Sequence, residues 1–219
     1  DKEISFISDI VSEAGLYLFS KIGGCDALHD IFISKEHNAK RITAPMTESS
    51  YAVRKFIDNV FSVYSSKSVL PGINVETIYT YENLEEILSC EAAKNINSLI
   101  FGRDDFTASL NINRSEINSD IIYEYALNTL KLSRKYGKKF ILGGEIRPQA
   151  SDFIKKLMPD GYETRSIVFE GEKAFSKNIK NGITKALETE IYLLEYKSKI
   201  NPYEYDGINK RINNLKQYL

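Results

Sequence analysis

"INVETIYTYENLEEIL", residues 73–88, starts as a buried strand and finishes as a helix. The apolar opening is short and β-branched, as a strand requires. The continuation through "YENLEEILSCEAA" places Leu84, Ile87 and Leu88 at helical steps, the mark of one buried face. A strand running directly into a helix is half of a βαβ unit, and the same alternation recurs along the chain. Apolar runs of strand length stand at 16–24 ("LYLFSKIGG"), 41–49 ("RITAPMTES"), 72–78 ("GINVETI"), 98–106 ("SLIFGRDDF"), 139–146 ("KFILGGEI") and 166–171 ("SIVFEG"). Between the runs at 98–106 and 139–146 lies "IIYEYALNTLKLSRKYG", with Ile122, Tyr125, Ala126, Thr129 and Leu130 on one face and Gly137 at its C-terminal stop. Strands alternating with helices predict a parallel sheet.

The spacing between strands selects among parallel-sheet folds. Strand centres near residues 18, 43, 75, 100, 141 and 168 give most units about 25 to 40 residues, and a (β/α)8 barrel uses about 31 per unit. The expected fold is a TIM (β/α)8-type barrel, with a doubly wound sheet as the alternative. The opening "DKEISFISDIVSEAG" reads as a helix, which implies a first strand before Asp1. Residues 1–175 form the expected barrel body. Residues 176–219 carry only helical pattern, broken at Pro202, and are expected to supply the last barrel helix and an extension that caps the barrel base or contacts another subunit.

Composition narrows the function classes. The 219 residues are 42% hydrophobic and 27% charged with a formal net charge of −1, ordinary for a soluble domain. With no basic cluster, neither nucleic acid nor membrane is an expected partner, and no apolar run approaches the roughly 18 residues of a membrane span. Cys25 and Cys90 lack metal or redox spacing and read as reduced thiols, so a cytoplasmic location is expected.

Several strands end in polar residues: Lys21, Glu48, Glu76, Asp105 and Glu145. In barrel enzymes those carboxyl ends form the active-site face. Glu76 and Asp105 are 29 positions apart, one βα unit, so ends of neighbouring strands would bring their carboxylates together. Two such oxygen ligands suit Mg²⁺ or Mn²⁺; the bland alternative is two solvated acids, or acids paired with Lys21 and Arg103. Gly23, Gly24, Gly102, Gly144, Glu48 and Glu145 are the remaining candidates for a substrate pocket. Glu145 with Arg147 also reads as a plain ion pair, and His29 and His37 read as surface residues.

"RITAPMTESSYAVRKFI" (41–57), "INVETIYTYENLEEI" (73–87) and "NSLIFGRDDFTASL" (97–110) resemble, in this order, three successive strand motifs of the HpcH/HpaI aldolase and citrate lyase β-subunit family. The resemblance runs from about Leu16 to Phe169. It implies a divalent-metal barrel that makes or breaks a carbon–carbon bond beside the enolate of a 2-oxo acid or an acyl thioester. It also implies metal ligation by Glu76 and Asp105, a substrate-gripping cation at Lys21 where the family has arginine, and a closed homo-oligomer. Arg103 is the alternative grip. The expected function is a metal-dependent lyase or aldolase acting on a small oxo acid. The alternatives are an acyl-CoA lyase, or a barrel without turnover that serves as a binding or assembly subunit. No proton-transferring base is evident from the residues.

Overall fold

The computed structural model describes residues 2–65, 68–175 and 178–219. Helix α1 (Lys2–Glu13) precedes the first βα unit, β1 (Phe19–Lys21) and α2 (Leu28–Glu36). There follow β2 (Arg41–Ala44), α3 (Ser50–Val63), β3 (Leu70–Val75), the short helices α4 (Ile78–Glu82) and α5 (Leu84–Ser89), β4 (Ser98–Gly102) and α6 (Arg103–Ser109). Then come α7 (Asp120–Lys135), β5 (Lys139–Gly143), α8 (Ser151–Leu157), β6 (Gly161–Glu163), β7 (Val168–Glu170), α9 (Ile179–Ile200) and α10 (Tyr205–Lys216).

The sheet order is β1-β2-β3-β4-β5-β6-β7, and every pair is parallel except β6–β7. A doubly wound sheet reverses its strand order at a switch point, which this order never does. The curl is that of a barrel, but the barrel is partial. Seven strands are present, the last is antiparallel, and β1 and β7 do not pair among the described residues. The run expected as one final strand at 166–171 is β7 alone. The sixth parallel strand is the preceding "GYE", and Thr164 turns the chain by accepting from the Ile167 amide at 3.1 Å. The curl is deep enough for Arg41 of β2 to donate to Glu170 of β7 at 2.5 Å, across the concave side.

Apolar residues lie on alternate positions of these strands. Ile42, Ala44, Ile73, Val75, Leu99, Phe101, Phe140, Leu142 and Tyr162 join the core shared with the helices. Their neighbours Arg41, Thr43, Gly72, Asn74, Ser98, Gly102, Gly143 and Glu163 take the other, concave face, because successive residues of a strand point to opposite sides. The concave face is mostly polar and small, with Ile100 and Ile141 buried on it as well.

The boundary expected at 175/176 falls against residues 176–177, which lie outside the described residues. Ile183 and Leu187 of α9 and Ile208, Ile212 and Leu215 of α10 are buried in the same core. Arg211 of α10 donates to Glu190 of α9 at 2.9 Å and to Glu145, just beyond β5, at 3.1 Å. No described helix is long and apolar enough to cross a membrane.

Candidate active site

Glu76 is the residue after β3, 1% exposed, at the carboxyl end of the sheet. Three groups hold it. Lys21, ending β1, lies 3.2 Å from Oε2; the Asn74 amide donates to Oε2 at 2.6 Å; and the Met46 backbone N–H donates to Oε1 at 3.2 Å. Met46 reaches that position through a left-handed backbone (φ 50°), a conformation that costs a non-glycine residue on the order of 1 kcal/mol or more. The reason a charge stands in the strand is thus local. A buried carboxylate is tolerable only with donors around it, and here Lys21 of β1, Asn74 of β3 and the β2–α3 loop supply them.

The following residue, Thr77, caps α4 by accepting from the Thr80 amide and donates to Glu48 at 2.5 Å. Glu48 therefore steadies the start of α4 beside Glu76. Gly102 ends β4 directly against Glu76: a Cβ there would sit 3.1 Å from the glutamate's Cβ and 3.4 Å from its Oε2. Only a residue without a side chain lets the carboxylate lie over the strand. Asp105, three residues later, is exposed in the first turn of α6 and makes no ion pair among the described residues. Its neighbour Asp104 pairs with Arg114 at 3.3 Å. Burial pushes the Asp104 carboxyl up, against the pull of Arg114, with Glu145 and Asp105 pushing the same way as burial.

Arg103 is fully buried. It donates to Gly143 O at 3.2 Å, Gly144 O at 2.9 Å and Asn118 Oδ1 at 2.5 Å, and lies over the Phe153 ring. Burial draws its guanidinium down to about 9, which leaves it charged at neutral pH. Lys21, rather than Arg103, is the cation against Glu76. Gly144 (φ 76°) presses on the backbone of Arg103 and Asp104, and Glu145 is engaged by Arg147 at 2.5 Å and by Arg211. The Gly23 amide is taken by Asp30 at 2.7 Å, while Gly24 has open space around it.

Sequence reasoning passed over three participants. Asn74 carried a signal, an amide inside an apolar strand. Met46 carried none, since its contribution is a backbone N–H. Glu163, ending β6, lies before the run at 166–171, in a segment not expected to be a strand. Its half-buried carboxyl is pushed from 4.5 up to about 7, mainly by burial, with Arg41 and Lys21 pulling down and Glu170 and Glu76 pushing up. A carboxyl raised in the folded state stabilises the fold below its unfolded value and loses that contribution as pH climbs through the folded one. Glu163→Gln is therefore expected to stabilise the protein by up to about 3 kcal/mol near pH 8 and by little near pH 4.5. Urea midpoints of both proteins at the two pH values check this, and an equal difference at both would contradict it.

By sequence, neither a family model nor a curated protein matches the chain. By structure it is similar to an HpcH/HpaI aldolase from Desulfitobacterium hafniense, with TM-score 0.61 at 13% identity, covering 86% of this chain and 77% of that one. A citrate lyase from Burkholderia xenovorans gives TM-score 0.58 at 14% identity, covering 91% and 72%. An HpcH/HpaI aldolase/citrate lyase family protein from Burkholderia cenocepacia gives 0.56 at 11%, covering 70% and 69%. At these identities the likeness is one of fold: the chain's partial barrel is similar in fold to HpcH/HpaI aldolase and citrate lyase structures.

Proposed function

We propose that this protein is a divalent-metal-dependent carbon–carbon lyase or aldolase acting on a small 2-oxo acid of the pyruvate or oxaloacetate kind. The observation that carries the reading is the buried Glu76 at the mouth of a barrel of this fold, one strand from Asp105. The residues suit a hard cation such as Mg²⁺ or Mn²⁺. The donors are all oxygen, Asp105 is uncommitted among the described residues, and buried Asn74 Oδ1, whose amide already touches Glu76, finds no partner there. No group of three or more acidic, histidine or cysteine side chains gathers among the described residues, and Mg²⁺ is commonly held by one or two carboxylates with waters completing the shell.

When bound, such an ion supplies Lewis-acid polarisation of a substrate carbonyl. The chain's own groups do the rest. Lys21, 53% exposed, swings between Glu76 and solvent at little cost, and it is the cation that meets a substrate carboxylate as a point charge. Asn74 and the Met46 N–H keep the Glu76 carboxylate oriented, so that it does not reorganise during the reaction. Arg103 acts from beneath, fixing the β5–α8 loop against the start of α6 and with it the placement of Asp105. A closed homo-oligomer remains part of the proposal, with Tyr192, Tyr203 and Tyr205 exposed on the tail as its contact surface.

Glu76→Gln combined with Asp105→Asn is expected to weaken Mg²⁺ and Mn²⁺ binding at least 100-fold by calorimetry, with the far-UV circular dichroism unchanged. Wild-type affinity in that double variant would remove the metal site. Failure of the wild type to bind either ion in the presence of pyruvate or oxaloacetate would instead favour a barrel without turnover.

A further inference from the structure

The proposed carbon–carbon chemistry needs a group that takes a proton from a hydroxyl and later gives one to carbon, and among the described residues no histidine side chain is hydrogen-bonded to Glu76, Lys21 or Asp105. His29 is exposed on α2 and His37 lies at that helix's C-terminal end. The concave face offers another candidate. Gly102 of β4 and Gly143 of β5 are register partners, so both present their bare α-carbons to the same side of the sheet. Glu76 covers the first. Glu163 covers the second: its Oε1 lies 3.2 Å and its Cγ 3.4 Å from where a Gly143 Cβ would sit. The two glutamates stand at the ends of β3 and β6, three strands apart on one face, and their side chains lean toward each other over the paired glycines of β4 and β5 between them.

Their surroundings differ in a way that separates their roles. Glu76 is ion-paired and twice hydrogen-bonded. Among the described residues, the Glu163 carboxyl has no ion pair and no hydrogen bond. The charged groups facing it are Lys21 from β1, Arg41 from β2, Glu76 beyond β3 and Glu170 from β7. Both cations are already engaged, Lys21 by Glu76 and Arg41 by Glu170 at 2.5 Å. A carboxyl left without its own cation, beside two others, exchanges a proton readily near neutral pH, the condition that acid–base catalysis favours. Two carboxyls set in unlike surroundings divide the work: one stays ionised and the other carries the proton.

We propose that Glu163 is the acid–base residue of this mouth, taking the proton of the substrate hydroxyl during bond cleavage and delivering it to the carbon beside the carbonyl. The proposal rests on the oxo-acid reading above. In the cleavage direction the Glu163 carboxylate accepts the hydroxyl proton, and the O–H electron pair becomes the new C=O of the departing aldehyde or ketone. The pair of the broken carbon–carbon bond passes to the carbon next to the substrate carbonyl, forming the enolate. Neutral Glu163 then protonates that carbon, which releases the 2-oxo acid and restores the carboxylate. No oxidant or reductant enters.

The test is deuterium exchange into the methyl group of pyruvate in D₂O with Mg²⁺, followed by proton NMR for wild type, Glu163→Gln and Glu163→Asp. The glutamine variant is expected to slow exchange by about 100-fold or more while still binding Mg²⁺ and pyruvate in calorimetry, with aspartate restoring part of the rate. Wild-type exchange with Mg²⁺ should fall with acidity, since the carboxylate is the base. Should the glutamine variant not fold, that profile decides, and a flat rate between about pH 5.5 and 8.5 overturns the assignment. Wild-type speed in Glu163→Gln overturns Glu163 and leaves the oxo-acid reading standing. The absence of Mg²⁺-dependent exchange in wild type overturns that reading itself, and Glu163's role with it.

Discussion

Gly144→Ala is expected to destabilise the protein by at least about 4 kcal/mol, among the largest effects a single methyl group produces. Two independent penalties coincide. Gly144 has φ 76°, where a Cβ costs on the order of 1 kcal/mol or more. That Cβ would also lie 2.3 Å from the Arg103 amide nitrogen, 2.5 Å from that of Asp104 and 2.9 Å from the Gly102 carbonyl carbon. All three are backbone atoms of the β4–α6 junction, so no flexible side chain can give way. Relief requires the β5–α8 loop and the first turn of α6 to separate, the same turn that presents Asp105. Urea unfolding followed by circular dichroism measures the loss. Gly24→Ala, with open space at its Cβ, is the control and should stay within about 0.5 kcal/mol of wild type. A loss below about 1 kcal/mol in Gly144→Ala would mean that the loop and the helix move independently.

Arg103→Met should cost about 2 to 4 kcal/mol, and Arg103→Lys nearly as much. Two effects oppose each other. Burial disfavours the guanidinium charge, so deleting it removes a desolvation penalty. Against this, the buried Gly143 O and the part-buried Gly144 O would lose their donor, at about 1 to 3 kcal/mol for a buried acceptor, while the exposed Asn118 turns to water. The two backbone acceptors and the lost packing outweigh one relieved charge. Lysine provides a single ammonium where the fork reaches several acceptors at once, so it rescues little. The measurement is again the urea midpoint, together with Mg²⁺ affinity. Unchanged stability accompanied by lost pyruvate affinity would make Arg103 a substrate ligand instead of the clamp described here.

Most of the fold was legible from local pattern. The strands at 19–21, 41–44, 98–102 and 139–143 fall within expected runs, β3 (70–75) overlaps the run at 72–78 but starts two residues earlier, and α7 stops at Gly137, whose φ of 66° is the left-handed turn such a stop uses. Periodicity is a property of neighbouring residues, so it survives without knowledge of the rest. The end of the sheet did not, because β6, only three residues long, gives no strand pattern before the run that becomes β7. A strand that continues and a strand that doubles back have the same composition, and the Thr164 turn between them carries no glycine or proline to mark it. The tail's helices were legible as well, but not the direction in which α10 would fold.

The sequence by itself determined the alternation of strand and helix, the barrel-type order, and which charges would stand at strand ends. Glu76 could be singled out because a carboxylate in a strand is expensive unless something holds it. Only the tertiary structure decided what holds it. Lys21, Asn74 and the Met46 amide come from three separate segments, and their convergence follows from sheet register, which no local pattern encodes. Register likewise set Glu163 and Glu76 on one face, over the paired glycines 102 and 143, and turned Arg103 inward to the carbonyls beyond β5. Charges and hydrogen-bonding groups act over a few ångströms of space. Residues 55 positions apart, as Lys21 and Glu76 are, become neighbours only once the sheet has curled.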